Sequence, residues 1–175
     1  MTELVIGGNG SGKSAYAEKE VLAAGCGRVY YLATMRVLDD EMERKVARHR
    51  RMRAGRGWLP IEQPVDVGQA ANVISGDSSA ALLECLSNLA ANEMFRGGQI
   101  VPEDTVVQNI VAGIRRLMAC TDCLVLVSNS VFSDGFTYDE GTAAYIRALG
   151  RINQEISGMA DRVTEVVAGI PVGLK

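Results

Sequence analysis

Strand-like and helix-like stretches alternate along the chain, which predicts an α/β fold with a mainly parallel sheet and helices on both faces. Two observations carry this. Short apolar or β-branched runs at residues 4–6, 28–33, 79–84, 123–127 and 162–168 are separated by longer stretches of helical periodicity. The first run also ends in a glycine-rich loop that opens a helix, a junction typical of parallel α/β sheets. The 175 residues carry no linker, repeat or low-complexity segment, and that loop, Gly7 to Ser14, fits the phosphate-binding pattern G-x-x-x-x-G-K-[ST], so residues 1–175 are expected to be one nucleotide-binding domain of the phosphate-loop type.

The opening loop reads Gly7-Gly8-Asn9-Gly10-Ser11-Gly12-Lys13-Ser14 and fits G-x-x-x-x-G-K-[ST] at full length. Its glycines let successive backbone N–H groups turn toward phosphate oxygens. The helix behind it adds its positive end. Lys13 can reach the outer phosphates, and the Ser14 hydroxyl can ligate Mg²⁺. Ala15, Tyr16, Ala17, Val21 and Leu22 are expected to pack this helix, and Gly25 to stop it.

The remaining elements follow in order. Residues 28–33 read as a second strand, ending in Thr34-Met35-Arg36 at the sheet edge where ligands sit in open α/β folds. Asp39-Asp40-Glu41 opens a helix on which Met42, Val46, His49 and Arg53 share a face at offsets 0, 4, 7 and 11. Residues 58–63 form a short extended piece containing Glu62, and residues 65–74 a modest helix. Residues 79–84 are a buried strand ending in a carboxylate, Glu84. Helices are expected at 87–95 and from Pro102-Glu103-Asp104, the latter with an apolar stripe of Val107, Ile110, Val111, Ile114 and Met118. Residues 123–127 are another buried strand, 133–140 a polar loop, and a long helix carries Tyr145, Leu149, Ile152, Ile156 and Met159 on one face. Residues 162–168 close the chain as a final strand, open either to parallel pairing or to antiparallel pairing at an edge.

Composition narrows the function. A net charge of −3 excludes general nucleic-acid binding, so any anion site is local. No stretch approaches a membrane span, and no secretory signal is expected at the amino end, which points to the cytoplasm. Against this acidic background, residues 44–56 hold a dense cluster of arginines, read either as a phosphate partner or as a solvated helix face. His49, the sole histidine, is either a structural group on an apolar stripe or a nucleophile kept neutral by its arginine neighbours. Glu84 either holds Mg²⁺ or sits as a core-edge glutamate. Cys120-Thr-Asp-Cys123 is a lone C-x-x-C, read as ordinary reduced thiols beside Cys26 and Cys85.

Taken together, GGNGSGKS at 7–14, YLAT at 31–34, LDDEM at 38–42 and His49-Arg50 with Arg53 resemble a known family. Trp58 with Glu62, LLEC at 82–85, LVSN at 126–129, GRINQ at 150–154 and VVAGIPVGLK at 166–175 extend the match nearly end to end. The family is that of bifunctional adenosylcobinamide kinase/adenosylcobinamide-phosphate guanylyltransferases. The resemblance implies a homotrimer that phosphorylates adenosylcobinamide with ATP or GTP. It then implies transfer of GMP from GTP through a histidine, which here is His49. It also implies nucleotide contacts from Gly7, Gly8, Asn9, Gly10, Ser11, Gly12, Lys13, Ser14, Thr34, Met35, Arg36, Arg50, Arg51, Met52, Arg53, Glu62 and Glu84, with Mg²⁺ at Ser14 and Glu84. A neutral imidazole is a competent nucleophile toward an α-phosphorus.

The sequence departs from the family pattern in three places. Asn9-Gly10 stands where members commonly have Ala-Arg, and the spacing from His49 to Trp58 is one residue longer. Asn129-Ser130-Val131-Phe132 replaces Asn-Glu-Val-Gly, which bears on the corrinoid side of the site. Two other readings use the same loop: a small-molecule kinase that does not need His49, and a nucleotide-binding regulatory protein without turnover.

Overall fold

The computed structural model describes residues 1–36, 57–74, 78–130 and 138–175. In chain order the elements are β1 (Thr2–Gly7), α1 (Lys13–Ala23), β2 (Arg28–Ala33), β3 (Trp58–Glu62), a 3-10 helix (Val67–Asn72), β4 (Ser79–Glu84), α2 (Leu86–Met94), α3 (Glu103–Cys120), β5 (Cys123–Asn129), α4 (Glu140–Met159), β6 (Arg162–Val167) and β7 (Ile170–Gly173). The helix expected to open at Asp39 lies outside the described residues.

The strands make one seven-stranded sheet in the order β3-β2-β4-β5-β1-β6-β7. Every neighbouring pair is parallel except β6–β7. β1, β4 and β5 read as continuous apolar runs because both their faces are covered. On one face Leu4, Leu83, Leu124 and Leu126 pack under α2, α3 and α4, meeting Leu89, Ile110, Ile114, Ile152 and Ile156. On the other, Val5, Leu82, Val125, Val127 and Val166 meet Ala17 and Val21 of α1. Removing one such buried leucine side chain costs about 2–5 kcal/mol. The predicted α/β architecture with helices on both faces is therefore present.

Local chemistry explains most helix limits. The α1 chain turns off at Gly25, whose φ of 66° lets its N–H reach Leu22 O at 3.2 Å. Asp139 caps α4 by accepting from Thr142 N at 3.1 Å. Arg151 then ties α4 to the acidic first turn of α3, at 3.1 Å from Glu103 and 2.6 Å from Asp104.

Three expectations are corrected. Ala15 and Leu22 face solvent, so α1 packs through Ala17 and Val21 and is a narrower amphipathic helix than its composition suggested. The helix expected at 65–74 is a single 3-10 segment, because Asp66 sits in the left-handed region at φ 49° and the α-helical path cannot begin upstream of it. The strand at 162–168 is not final. Ala168 and Gly169 both take positive φ, 49° and 82°, and turn the chain into β7, where Val167 opposes Ile170.

The 3-10 segment is pressed onto α3 at Gly113. A Cβ there would meet Val67 Cγ1 at 2.6 Å and Gly68 N at 2.9 Å. Gly113→Val is expected to cost about 2 kcal/mol through overpacking, measured by urea denaturation. An unchanged midpoint would show that the two segments separate freely.

Candidate active site

The site grows from the carboxyl end of β1. In the 7–14 loop the backbone carbonyls are tied down by distant segments. Ser130 N donates to Gly7 O at 3.1 Å, and Gly169 N donates to Ser11 O at 2.8 Å. Ser11 N closes a turn on Gly8 O at 3.2 Å, and Tyr16 N begins the helix on Gly12 O at 3.1 Å. Gly12 occupies the helix N-cap at φ 91°, and its hypothetical Cβ would lie 3.3 Å from Gly169 Cα, so glycine is required twice over. No side chain caps α1, which leaves its first N–H groups for a ligand. Ser11 Oγ is buried in the loop without a partner.

Lys13 is only 8% exposed and its Nζ donates back to Gly8 O at 3.1 Å, which holds the ammonium over the loop. Ser14 Oγ donates to the Glu84 carboxylate, and Tyr31 OH donates to the other Glu84 oxygen at 2.9 Å. Tyr31 is itself set edge-on to Trp58, centroids 6.1 Å apart. The two residues expected to hold Mg²⁺ thus meet, although 70 positions separate them. A hydroxyl and a carboxylate are hard oxygen donors that suit Mg²⁺. Among the described residues no group of three or more His, Cys, Asp or Glu is placed to hold a metal ion. The pair fits such an ion, which would be held by these two protein oxygens, with the rest of its shell coming from water and phosphate.

The neighbouring strand ends contribute unequally. Ala33 is in register with Glu62 on one side and Glu84 on the other, so both carboxylates stand at one edge of the sheet. Thr34 is fully buried. Its hydroxyl donates to Cys85 O at 2.8 Å and accepts from Cys85 N at 2.7 Å, and its carbonyl accepts from Asn92 at 2.7 Å. The Thr34 side chain therefore joins β2 to the start of α2, while Met35 and Arg36 beyond it are partly exposed. His49, Arg50, Arg51, Met52 and Arg53 lie outside the described residues.

Sequence reasoning missed a second polar group beside Glu84. Asn129 Nδ2 donates to Ser87 Oγ at 2.9 Å, and Ser87 Oγ lies 2.8 Å from Cys85 Sγ. Asn129 is in register with Gly7, which puts its amide next to the loop. The only earlier sign was that LLEC and LVSN both end in polar residues after apolar runs. Burial pushes the Cys85 thiol up, with the Ser87 hydrogen bond opposing. Burial also pushes up Cys120 and Cys123, both free, so neither is a ready thiolate.

Two measurements follow. Lys13→Ala is expected to abolish tight GTP or ATP binding by titration calorimetry, since its ammonium is the one cation held on this loop among the described residues; undiminished binding would sink the loop assignment. Tyr145, on α4 beside Ser87, has its phenol pushed up to about 12 from 10.0 by burial and then by Cys85. The unfolded chain therefore ionises first, and this contribution is full below pH 10.0 and lost on rising toward about 12. Thermal midpoints across that window are expected to fall less steeply in Tyr145→Phe; equal slopes would remove Tyr145 from the alkaline transition.

Comparison with known proteins identifies the family. The profile of the family described as CobU: Cobinamide kinase / cobinamide phosphate guanyltransferase matches residues 3–174. The bifunctional adenosylcobalamin biosynthesis protein CobU of Escherichia coli strain K12 is 34% identical over 185 residues, covering 100% of each chain. The protein of the same name from Salmonella typhimurium is 34% identical over 190 residues, again covering 100% of each. The bifunctional adenosylcobalamin biosynthesis protein CobP of Pseudomonas aeruginosa is 30% identical over 179 residues, covering 100% of this chain and 98% of its own. A phosphate loop closed by Lys13, a Ser14–Glu84 pair at its mouth and this end-to-end similarity have one conclusion: the chain belongs to the cobinamide kinase / cobinamide phosphate guanyltransferase family of enzymes.

Proposed function

We propose that this chain phosphorylates adenosylcobinamide with ATP or GTP, then moves GMP from GTP through a GMP–histidine intermediate at His49 to give adenosylcobinamide-GDP. The observation that carries the proposal is the meeting of Ser14 and Glu84 at the mouth of the 7–14 loop, in a chain of this family. The whole of residues 1–175 serves as one nucleotide-binding domain, and the working form is taken to be a cytoplasmic homotrimer.

In the first step the acceptor hydroxyl oxygen bonds to the γ-phosphorus, the bond from γ-phosphorus to the bridging oxygen breaks, and the nucleoside diphosphate leaves. The hydroxyl proton passes to solvent or to a phosphate oxygen. Lys13, released from Gly8 O, neutralises charge on the outer phosphates, and the loop amides fix their position. Ser14 and Glu84 would hold Mg²⁺, which supplies further neutralisation of phosphate charge when bound. In the second step an imidazole nitrogen of His49 bonds to the α-phosphorus and pyrophosphate leaves. The phosphate of the new ester then takes GMP from the labile P–N bond, freeing His49. Met35, Arg36, Arg50, Arg51, Met52, Arg53 and Glu62 are assigned to the nucleotide, with the arginines balancing the departing pyrophosphate. Thr34 positions this edge from behind.

A second reading, a nucleotide-binding protein without turnover, draws on Ser130 standing where the family pattern has Glu, directly against Gly7 O. Incubation with α-labelled GTP separates the readings. Parent protein is expected to gain label that is lost in acid and survives mild base, as a phosphoramidate does. His49→Asn is expected to bind GTP and retain phosphorylation of adenosylcobinamide while gaining no label. Full GMP transfer by His49→Asn would end the histidine mechanism, and binding without label or transfer in the parent would favour the second reading.

A further inference from the structure

A cavity of about 590 Å³ lies on the α4 side of the sheet, lined by Ile6, Ser130, Gly150, Asn153, Gln154, Ser157, Glu165 and Leu174. Nothing in the nucleotide chemistry uses it, yet it abuts the phosphate loop. Ile6 directly precedes Gly7, and Ser130 N is bonded to Gly7 O. Three of its residues come from the GRINQ motif at 150–154 and a fourth from the carboxyl-terminal block, stretches that the catalytic assignment leaves without a task.

Asn153 brings an unmet polar group to the wall of the cavity. It is 6% exposed, and its Oδ1 accepts from Ser128 Oγ at 2.8 Å, while its Nδ2 is buried with no partner. Turning the amide over would pair Nδ2 with Ser128 and orphan Oδ1, so one polar atom stays unmet either way. The space is far larger than the roughly 30 Å³ of one water and within the roughly 300–1,000 Å³ of small-molecule sites. Among the described residues no lysine or arginine lines it, so that lining is not built for phosphate. Glu165, in register with Ile6 and on the same face, supplies a carboxylate acceptor. Ile6, Gly150 and Leu174 give an apolar wall, and Gln154 a second amide. A ligand matching this set is neutral, partly apolar, and carries N–H donors beside a carbonyl.

We propose that this cavity holds a carboxamide-bearing arm of the corrinoid acceptor, with Glu165 taking its N–H groups and the amides of Asn153 and Gln154 meeting its remaining polar atoms. The inference rests on the functional reading above and extends it to the acceptor. It places the acceptor against the back of the loop that holds the donor phosphates.

The test titrates adenosylcobinamide and, separately, a non-hydrolysable GTP analogue into full-length parent, Glu165→Ala and Gln154→Ala by calorimetry. Neither substituted residue is fully buried, so folding is checked simply by an unchanged thermal midpoint. Glu165→Ala is expected to weaken corrinoid binding about tenfold or more, Gln154→Ala by less, and neither to change the analogue's affinity. Unchanged corrinoid affinity in both variants overturns the inference and leaves a water-filled crevice. Equal weakening of both ligands also overturns it, because the N–H-bearing edge in the cavity would then be the guanine base. A parent protein that binds the analogue but not adenosylcobinamide would fail the functional reading itself, and the inference with it.

Discussion

The structure depends on β1 being buried on both faces and flanked on both edges. It pairs with β5 on one side and β6 on the other, in register from Thr2 against Leu124 to Gly7 against Asn129. A strand held this way has no freedom at its carboxyl end, so the loop leaving it is delivered to a fixed point. The same two neighbours then fasten the loop, β5 through Ser130 and the β6–β7 turn through Gly169. Preorganisation matters because a loop that had to order itself around phosphate would surrender about 1–2 kcal/mol per residue of the binding energy.

A buried charge at the other end of β1 keeps α1 in line with this loop. Glu3 is fully buried, and its Oε1 accepts from Thr164 at 2.7 Å, Tyr16 at 3.1 Å and Arg162 at 3.2 Å. Its Oε2 lies 3.1 Å from the same guanidinium as an ion pair, without hydrogen-bond alignment. Arg162 also reaches Glu20 at 2.9 Å, and Glu20 chiefly holds the guanidinium above its usual range. Such a network adds little net stability over an apolar packing, but it is satisfied only in one arrangement of β1, α1 and β6. It therefore acts on position more than on stability, and the position it fixes is that of Lys13 and Ser14 one turn away.

Much of the site was legible because its chemistry is local. The 7–14 loop needs its glycines, lysine and serine at fixed spacing along a few residues, so the sequence spelled out its form. Glu84 was legible as a carboxylate at a strand end, because an apolar run stopped by an acid is a one-dimensional pattern, whereas Glu62 was singled out only by the family resemblance. Thr34 shows the limit. Its place at a strand end read as a ligand-facing edge, but the bonds of its hydroxyl and carbonyl to Cys85 and Asn92, residues 51 and 58 positions away, could not be read from the sequence. The Asn129–Ser87–Cys85 group was hidden for the same reason.

The sequence by itself determined the alternation of strands and helices, the loop, the two candidate metal-holding oxygens and the family, since periodicity, turn residues and motif spacing are properties of neighbouring residues. Only the tertiary structure decided that β5 and β6 flank β1, that Ser14 and Glu84 meet, and that Tyr31 braces the pair. It alone revealed β7, because an alanine at positive φ, Ala168, is a conformation that local propensity argues against and the turn's contact with Ser11 supports. It alone formed the open cavity beside Gly7, whose walls come from β1, the end of β5, α4, β6 and the tail. The physical reason is common to all five. Strand order and through-space contact are set by which faces can be buried together, and that is a property of the whole chain rather than of any window within it.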